Sequence, residues 1–523
     1  MTFSADTPSE PEAATSRRDD LTRILEGRLG PGAPDWVYLP VDVPRGVAEL
    51  AVRYEYDRPA TPPGVPGNAL DIGVFDPRGH RGGDPAGFRG WSGGARDAFV
   101  ISASDATPGY LPGPIQPGTW HVALGPYTVA PQGLAYRVEV TLRPGEPGEP
   151  FVPNPAPLRA TGRGPTWYRG DLHTHTVHSD GVREPAELVA AARSAGLDFV
   201  VSTEHNTTSA HGVWGHHVPE DLLVVNGEEV TTRNGHLVVA GLPAGTWIDW
   251  RFRAVDGVLH RVAEALHGFG GLAIAAHPFC PYVGCAWKFG FAEVDAVEVW
   301  NGPWTPDDEV SLRQWDAALV AGGAGLDGGR WLPAVGSSDT HAHGDTVGLG
   351  QTVVWAEDLS RDAILAGVRA GRSYVAESAA VEVTFQATGA GRTAGIGERL
   401  PVGSDAPVEL AVTVRGVESG FVRFVSDEGT LAQLPLPTPT GTGSRPAPAG
   451  DSRPEVDGQA EVEVEAGTEQ GEAAQVTWTT TAAVSKYVRV EVRHTSSQPT
   501  VFEGMAAFTN PIFLGVDHPA ERH

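Results

Sequence analysis

Tyr168-Arg169-Gly170-Asp171-Leu172-His173-Thr174-His175 ends a short run in two imidazoles spaced two residues apart. Along a strand, residues i and i+2 point to one face, so His173 and His175 can reach a single ion. The theme recurs downstream. Asp180 lies in the loop that follows, within His178-Ser179-Asp180-Gly181. Leu197-Asp198-Phe199-Val200-Val201-Ser202-Thr203 leads into Glu204-His205, and residues 222–226 lead into Gly227-Glu228-Glu229. Residues 272–276 lead into His277-Pro278, and residues 332–335 lead towards Ser337-Ser338-Asp339-Thr340-His341. His236 instead opens the run 237–240. Imidazoles and carboxylates at the C-terminal ends of successive apolar runs are the pattern of a multinuclear metal site on a β/α barrel. A lone histidine at a strand end is more often a hydrogen-bonded structural residue, and His211, His216, His217 and His343 are read that way. Reading the whole set so requires many independent coincidences.

The bulk composition narrows the field. A chain of 523 residues has room for two to four domains and a large core. Its formal net charge of -27 argues against a long nucleic acid as partner, because phosphate repulsion would have to be overcome locally. Lys288 and Lys486 are the only lysines, a bias read as compositional. Cys280 and Cys285 are too few for a disulfide framework. They can pair or bind metal, but two free thiols beside a strand end are the expectation. Arg17-Arg18 superficially resembles a twin-arginine signal, yet no apolar segment follows it. No run approaches the ~20 apolar residues of a membrane span. The expectation is a soluble, cytoplasmic protein with a small-molecule substrate and no membrane partner.

Four regions follow from patterning. Residues 1–20 are polar and read as disordered. Between 21 and 150, alternating segments such as Tyr136-Arg137-Val138-Glu139-Val140-Thr141-Leu142 predict an antiparallel sandwich of jelly-roll type. Between 160 and 377, strands alternate with helix candidates, one of them opening at Pro185 and stopping at Gly196. That alternation predicts a barrel of mostly parallel strands. From 378 to 516, alternation returns in Val408-Glu409-Leu410-Ala411-Val412-Thr413-Val414 and predicts a second sandwich. A Pro/Gly/Thr-rich and then acidic stretch at 436–472 reads as a disordered, solvated loop. The expected fold is thus multidomain, α/β plus all-β.

The motifs Asp171-Leu172-His173-Thr174-His175, Ser179-Asp180-Gly181, Thr203-Glu204-His205-Asn206, Gly227-Glu228-Glu229-Val230, Ala276-His277-Pro278 and Ser338-Asp339-Thr340-His341 resemble the PHP (polymerase and histidinol phosphatase) superfamily. With Trp167-Tyr168-Arg169-Gly170, Val297-Glu298-Val299-Trp300-Asn301-Gly302 and Phe508-Thr509-Asn510-Pro511-Ile512, the frame looks like its CehA/McbA metallohydrolase branch. Glu204 departs from the aspartate usual before the histidine, with little consequence expected. The resemblance implies a distorted (β/α)7 barrel and two or three divalent ions (Mn, Zn or Fe). A first ion would take His173, His175, Glu229 and Asp339. A second would share Glu229 and add His236 and His277, and a third would take Asp180, His205 and His341. Glu229 is chosen over Glu228 because it aligns two residues after the glycine.

Nitrogen and oxygen ligands suit Mn, Zn or Fe. Neighbouring ions lower the pKa of a bridging water and stabilise charge on a phosphoryl or acyl oxygen. Asp339, His341 and His178 are the candidates to move a proton. Arg169, Arg183 and Lys288 are the basic residues nearest in sequence that can receive a phosphate, with Trp300 and Asn301 beside the site. The favoured activity is hydrolysis of a small phosphate ester or nucleotide by a metal-bridging hydroxide. Alternatives are a carbamate or aryl-ester hydrolase of the CehA type, and a 5′–3′ exonuclease-like or 3′,5′-bisphosphonucleotide phosphatase activity. A non-catalytic carbohydrate- or protein-binding role is disfavoured by so complete a ligand set.

Overall fold

The computed structural model describes residues 21–82, 85–322, 331–436, 460–465, 473–495 and 503–515. The N-terminal residues 1–20 and most of the stretch 436–472 lie outside the described residues. The chain divides into two compact units, the first within Met1–His80, Ala86–Arg89 and Gly94–Val152, the second within Arg81–Pro85, Gly90–Gly93 and Pro153–His523.

The N-terminal strands are β1 (Leu21–Leu29), β2 (Val37–Val43), β3 (Val47–Tyr56), β4 (Ala69–Phe75), β5 (Phe88–Gly93), β6 (Ala98–Ser102), β7 (Gly118–Thr128) and β8 (Leu134–Pro144). They form two four-stranded sheets, β1-β8-β3-β6 and β2-β7-β4-β5. That order is a jelly roll. Alternate residues of both sheets, among them Leu50, Val52, Ile72, Val74, Trp120, Val122, Val138 and Val140, fill one core.

The second unit carries the histidine-rich strands. These are β9 (Thr166–Thr174), β10 (Phe199–Ser202), β11 (Leu223–Thr232), β12 (Gly235–Ala240), β13 (Leu272–Ala275), β14 (Ala296–Asn301), β15 (Ala334–Ser337), β16 (Gln351–Ala356) and β17 (Ser373–Ala376). Their hydrogen-bonded order is β15-β14-β13-β12-β11-β10-β9-β16-β17. The sheet curls until the chain after β15 meets β9. There Thr174 and Thr340 form a parallel bridge, and the Asp339 amide donates to the His173 carbonyl at 3.0 Å.

This is a curled half-barrel and not the expected (β/α)7 barrel. The strand β12 is antiparallel to both β11 and β13, and β16 is antiparallel to β9. The helices α1 (Pro185–Ser194), α2 (Leu259–Gly268), α3 (Pro306–Ala321) and α4 (Arg361–Arg369) are too few for a helix after every strand. Short 3-10 turns at Ser209–Gly212 and Trp214–His216 replace the crossover from β10 to β11. A hairpin joins β11 to β12, and the link from β13 to β14, broken by Pro278, Pro281, Gly284 and Gly290, has no helix. Where a helix does form, its signals are local. Pro185 fits the first turn of α1, and the Glu187 carboxylate accepts from the Glu184 amide at 2.8 Å.

The half-barrel sheet continues into the C-terminal region. Strand β17 pairs antiparallel with Met505–Thr509, which pairs with Tyr487–His494. A second sheet of Arg392–Gly395, Glu382–Gly389, Pro407–Arg415, Ala473–Thr481 and Ala460–Glu465 packs on this extension around Phe385, Leu410, Val412, Phe424, Val490 and Val492. Ala460–Glu465 falls inside the stretch expected to be a loop, yet it pairs with Ala473–Thr481. Alternation of Val462 and Val464 with glutamates suits an edge strand.

Asn510 ties the two regions together. Its side chain is buried, accepts from the Ala334 amide at 2.8 Å, and donates to the carbonyls of Ala334 and Ser373, each at 3.0 Å. Asn510 therefore holds the start of β15 against β17, and β15 leads directly into Asp339. Leaving these buried backbone groups unpaired costs about 1–3 kcal/mol. Asn510→Ala should lower stability by that order in urea unfolding, and Asn510→Asp should fail to rescue it because the donor is lost. Wild-type stability in the alanine variant would contradict the clamp.

Candidate metal centre

Glu229 is the hub. It is fully buried on β11, and its two oxygens face different histidines. Oε1 lies 2.7 Å from His236 Nδ1 and 3.2 Å from His277 Nε2. Oε2 lies 2.7 Å from His205 Nδ1, 3.3 Å from His173 Nε2 and 3.4 Å from His175 Nε2. Asp339 Oδ1 stands 3.3 Å from His173 Nε2 and 3.0 Å from His175 Nε2. Nearer the opening, Asp180 Oδ1 lies 3.4 Å from His205 Nε2 and 3.3 Å from His341 Nε2.

The ligand-bearing atoms fall into overlapping groups. Those of His173, His175 and Asp339 lie within 4.8 Å of one another, as do those of His175, Asp180, His205 and His341. Among the described residues, Nε2 of His173, His175 and His236, Oε2 of Glu229 and Oδ1 of Asp339 are buried without a hydrogen-bond partner. Buried polar atoms that converge without bonding one another are the mark of a site for ions. The donor set, imidazole nitrogen with carboxylate oxygen, fits divalent Mn, Zn or Fe. All nine residues expected as ligands are thus brought to one locus.

The backbone is strained at this locus. His277 (φ 26°) and Asp339 (φ 49°) adopt left-handed conformations, as does Asn206 (φ 53°), which follows His205. Such residues persist only where surrounding structure holds them, and they cluster at functional sites. Asn206 is held by the Thr231 amide, which donates to its Oδ1 at 2.7 Å. Gly181 lets the Asp180 loop fold back, since a Cβ there would come within 2.5 Å of the His175 carbonyl carbon.

An outer layer orients these groups, and most of it escaped the sequence reading. Glu298, buried on β14, lies 3.1 Å from His173 Nδ1 and accepts from the His277 amide at 2.7 Å and Asn301 Nδ2 at 3.1 Å. Ser337 Oγ also donates to it. A carboxylate on the second ring nitrogen fixes the tautomer that turns Nε2 towards an ion. A charged residue inside the apolar run Ala296-Val297-Glu298-Val299-Trp300 was the available signal, because a buried charge needs a partner. Asp171 accepts from the amides of Ser338 at 3.0 Å and Gly348 at 2.9 Å. Glu204 accepts from Thr176 Oγ1 and Ser179 Oγ, each at 2.5 Å, and so braces the loop leading to Asp180.

The remaining expected site residues differ in surroundings. His178 Nδ1 sits 2.8 Å from Ser209 Oγ, and its ring belongs to none of the converging ligand groups. Arg169 donates to Gln351 Oε1 and to the carbonyls of Ser378 and Val381. Arg183 donates to Thr340 Oγ1 at 2.6 Å and to the carbonyls of His343 and Asp345. Arg183 therefore braces the loop that carries His341, whereas Arg169 is tied to the chain after β17. Lys288 is exposed, and Trp300 is buried with its Nε1 donating to the Gly302 carbonyl at 2.7 Å. Asn301 reaches the cluster, donating to Asp339 Oδ2 at 3.3 Å. Glu228 points away from the cluster, as its place next to Glu229 on a strand requires, and accepts from the Ile248 amide at 2.9 Å. Cys280 and Cys285 are not free thiols. They form a disulfide across a five-residue separation, because the loop of Pro281 and Gly284 folds their Cα atoms to 5.7 Å.

No family model matches the chain. An uncharacterized protein of Methanocaldococcus jannaschii is 29% identical over 151 residues, covering 25% of this chain and 81% of that protein. A two-domain protein from Bacteroides vulgatus, containing a predicted PHP-like metal-dependent phosphoesterase, aligns over 70% of this chain and 100% of its own at TM-score 0.33 and 16% identity. An amidohydrolase from Chromobacterium violaceum aligns over 34% of this chain and 89% of its own at TM-score 0.25 and 18% identity. Overall likeness at these scores is weak, and the functional reading rests on the side chains.

Charge coupling tunes the centre. Burial alone would raise the carboxyl of Glu229, but His205, His173 and His236 hold it well below its usual range. Burial would lower His205, but Glu229 and Asp180 outweigh it and raise it to about 10. Burial likewise opposes the rise of His341, which Asp180 and Asp339 carry to about 9. Without metal both are protonated at neutral pH, so an ion must displace their protons. Apparent affinity for a divalent ion should rise by about tenfold per pH unit for each proton displaced, levelling off above about pH 9–10. The same raised values stabilise the metal-free protein below about pH 6.5, a contribution lost as pH rises through 9 and 10. Chelator competition across this range checks the slope, and a flat profile would contradict it. In the same assay Glu298→Gln should weaken ion binding by about 10–100-fold, whereas an unchanged affinity would remove Glu298 from the site.

Proposed function

We propose that the chain is a metal-dependent hydrolase of the PHP type that acts on a small phosphoester. The observation that carries this reading is Glu229, whose oxygens each face a separate set of histidines with orphaned nitrogens around them. That is the arrangement expected of a carboxylate shared between two ions. The sequence motifs of the PHP superfamily fall on these same residues. Bound divalent ions supply Lewis acidity and make a water acidic enough to ionise near neutral pH.

The chain's own residues then have distinct tasks. His173, His175, Glu229 and Asp339 form the buried floor, and His236 and His277 flank Glu229. Asp180 and His341 stand at the opening, their side chains 45% and 34% exposed, where a substrate enters. His341 Nδ1, 2.8 Å from the Asp339 carbonyl, is suited to donate there, which leaves Nε2 facing Asp180. Only where Nε2 is not taken by an ion would His341 hold or return a proton at the leaving oxygen. Asn301 donates to both Glu298 and Asp339 and so would hold the Asp339 carboxylate in position. With Arg169 and Arg183 committed to backbone, phosphate charge would be met by ions and histidines at the floor. Catalysis rewards contacts that strengthen in the transition state, and a phosphoryl group offers several oxygens to several cations.

A second reading, hydrolysis of an aryl carbamate or ester, is favoured by Trp247. Its partly buried indole donates to the Asn206 carbonyl at 3.3 Å, one residue from His205, and so offers an apolar wall near the site. Trp214, Trp250 and Trp300 are core residues and add nothing to it.

Metal-reconstituted protein assayed side by side on p-nitrophenyl phosphate, bis-p-nitrophenyl phosphate and a naphthyl carbamate separates the two. Phosphoester kcat/KM should exceed that for carbamate by at least about tenfold. Glu229→Gln should lose most turnover while Glu228→Gln keeps most of it. Faster carbamate turnover would reverse the substrate ranking, and equal losses in the two variants would dismantle the shared-carboxylate reading.

A further inference from the structure

We propose that opening the Cys280–Cys285 disulfide makes Cys285 a thiolate ligand alongside His236 and His277, so that one ion position of this centre is gated by reduction and then prefers a thiophilic ion such as zinc. This rests on the metal-centre reading above.

The geometry places the sulfur among ligands. Cys285 Sγ lies 3.3 Å from His277 Nδ1, while Nε2 of the same ring faces Glu229 Oε1 at 3.2 Å. Ligand atoms of His236, His277 and Cys285 all fall within 4.8 Å of one another. His236 Nε2 is buried without a hydrogen-bond partner among the described residues, and both cysteines are buried. As a disulfide, the sulfur has no charge to offer an ion. As a thiolate it is a strong, soft ligand, and imidazole nitrogen and thiolate sulfur are both donors that zinc takes.

The loop would hold the sulfur in place after the bond opens. It is tied independently of the disulfide to the hairpin turn that carries His236. The Gly235 amide donates to the Gly284 carbonyl at 2.9 Å, and the Lys288 amide to the Asn234 carbonyl at 2.9 Å. Within the loop, the Cys285 amide donates to the Tyr282 carbonyl at 3.2 Å and the Trp287 amide to the Pro278 carbonyl at 3.0 Å. Contact with the turn is close enough that a Cβ on Gly235 would sit 2.5 Å from Trp287 Cα. The exposed tip, with Tyr282 77% and Val283 62% accessible, gives a small reductant a way in.

The redox step balances with a trialkylphosphine and water. The S–S bond breaks, phosphorus is oxidised to the phosphine oxide with oxygen from water, and the two sulfurs take up two electrons and two protons. Cys285 then releases its proton to solvent as it binds the ion. A dithiol serves equally, ending as its own disulfide.

Cobalt is the probe, because thiolate ligation gives a charge-transfer band in the near ultraviolet, distinct from the visible ligand-field bands. Cobalt-loaded full-length protein should lack the band when oxidised and gain it on treatment with a phosphine. Cys280→Ser should show it without reductant, and Cys285→Ser should never show it. A thiol reagent should count two thiols in the reduced wild type. Two liberated thiols with cobalt still bound and no new band would overturn the proposal and leave the metal centre standing. Failure of cobalt to bind in either redox state would overturn both.

Discussion

A carboxylate without water needs cations, and Glu229 meets five histidines within 3.4 Å. Those histidines come from separate parts of the half-barrel. His173 and His175 lie at the end of β9, His205 follows β10, His236 is on β12 and His277 follows β13. The charge balance at Glu229 is therefore satisfied only when these strands are in register and the sheet is curled. The bridge between Thr174 and Thr340 adds Asp339 from the opposite end of the same sheet. Tertiary structure and site are one problem here, since the strands that build the core face also deliver the ligands.

Much of this was legible in the sequence because strand ends and ligand types coincide. His173-x-His175, His205, His277 and Asp339-x-His341 each close an apolar run, so their convergence needed only that the runs share a sheet. The choice of Glu229 over Glu228 came from alignment, and strand parity gives it a physical basis. Strand direction was less legible. Apolar runs look alike whether the next strand is parallel or antiparallel, and the available cue was Asn234-Gly235, a strong hairpin signal in the segment that turns β11 into β12. The half-barrel was therefore read as a closed barrel. The disulfide was missed for a related reason, since sequence separation does not say whether a loop brings two Cα atoms to 5.7 Å. Glu298 was visible as a charge in an apolar strand, but its partner was a histidine 125 residues away.

The C-terminal region bears on the site through backbone, not through ligands. Strand β17 is shared between the half-barrel sheet and Met505–Thr509. Asn510 fixes the first residue of β15 from outside the half-barrel, and β15 ends just before the strained Asp339. A left-handed aspartate costs about 1–3 kcal/mol unless its neighbours leave it no alternative. Anchoring both ends of that short segment, Ala334 by Asn510 and Ser338 by Asp171, is what removes the alternatives.

The buried acids of this region divide by partner rather than by burial. Asp171, Glu204 and Glu228 are fully buried, and burial raises all of them above the usual carboxylate range. Asp171 and Glu204 accept from hydroxyls and backbone amides and Glu228 from one amide, partners that pull each carboxyl down without outweighing burial. Glu229 and Glu298 are as deeply placed and Asp339 is partly exposed, yet neighbouring histidines outweigh burial and hold all three low. The first group braces the backbone around the site. The second is the group whose oxygens are turned onto ring nitrogens. Depth is therefore no guide to function among these acids. What separates a framing carboxyl from a ligand is whether its nearest partners can carry charge, and in this chain that test selects the residues around Glu229.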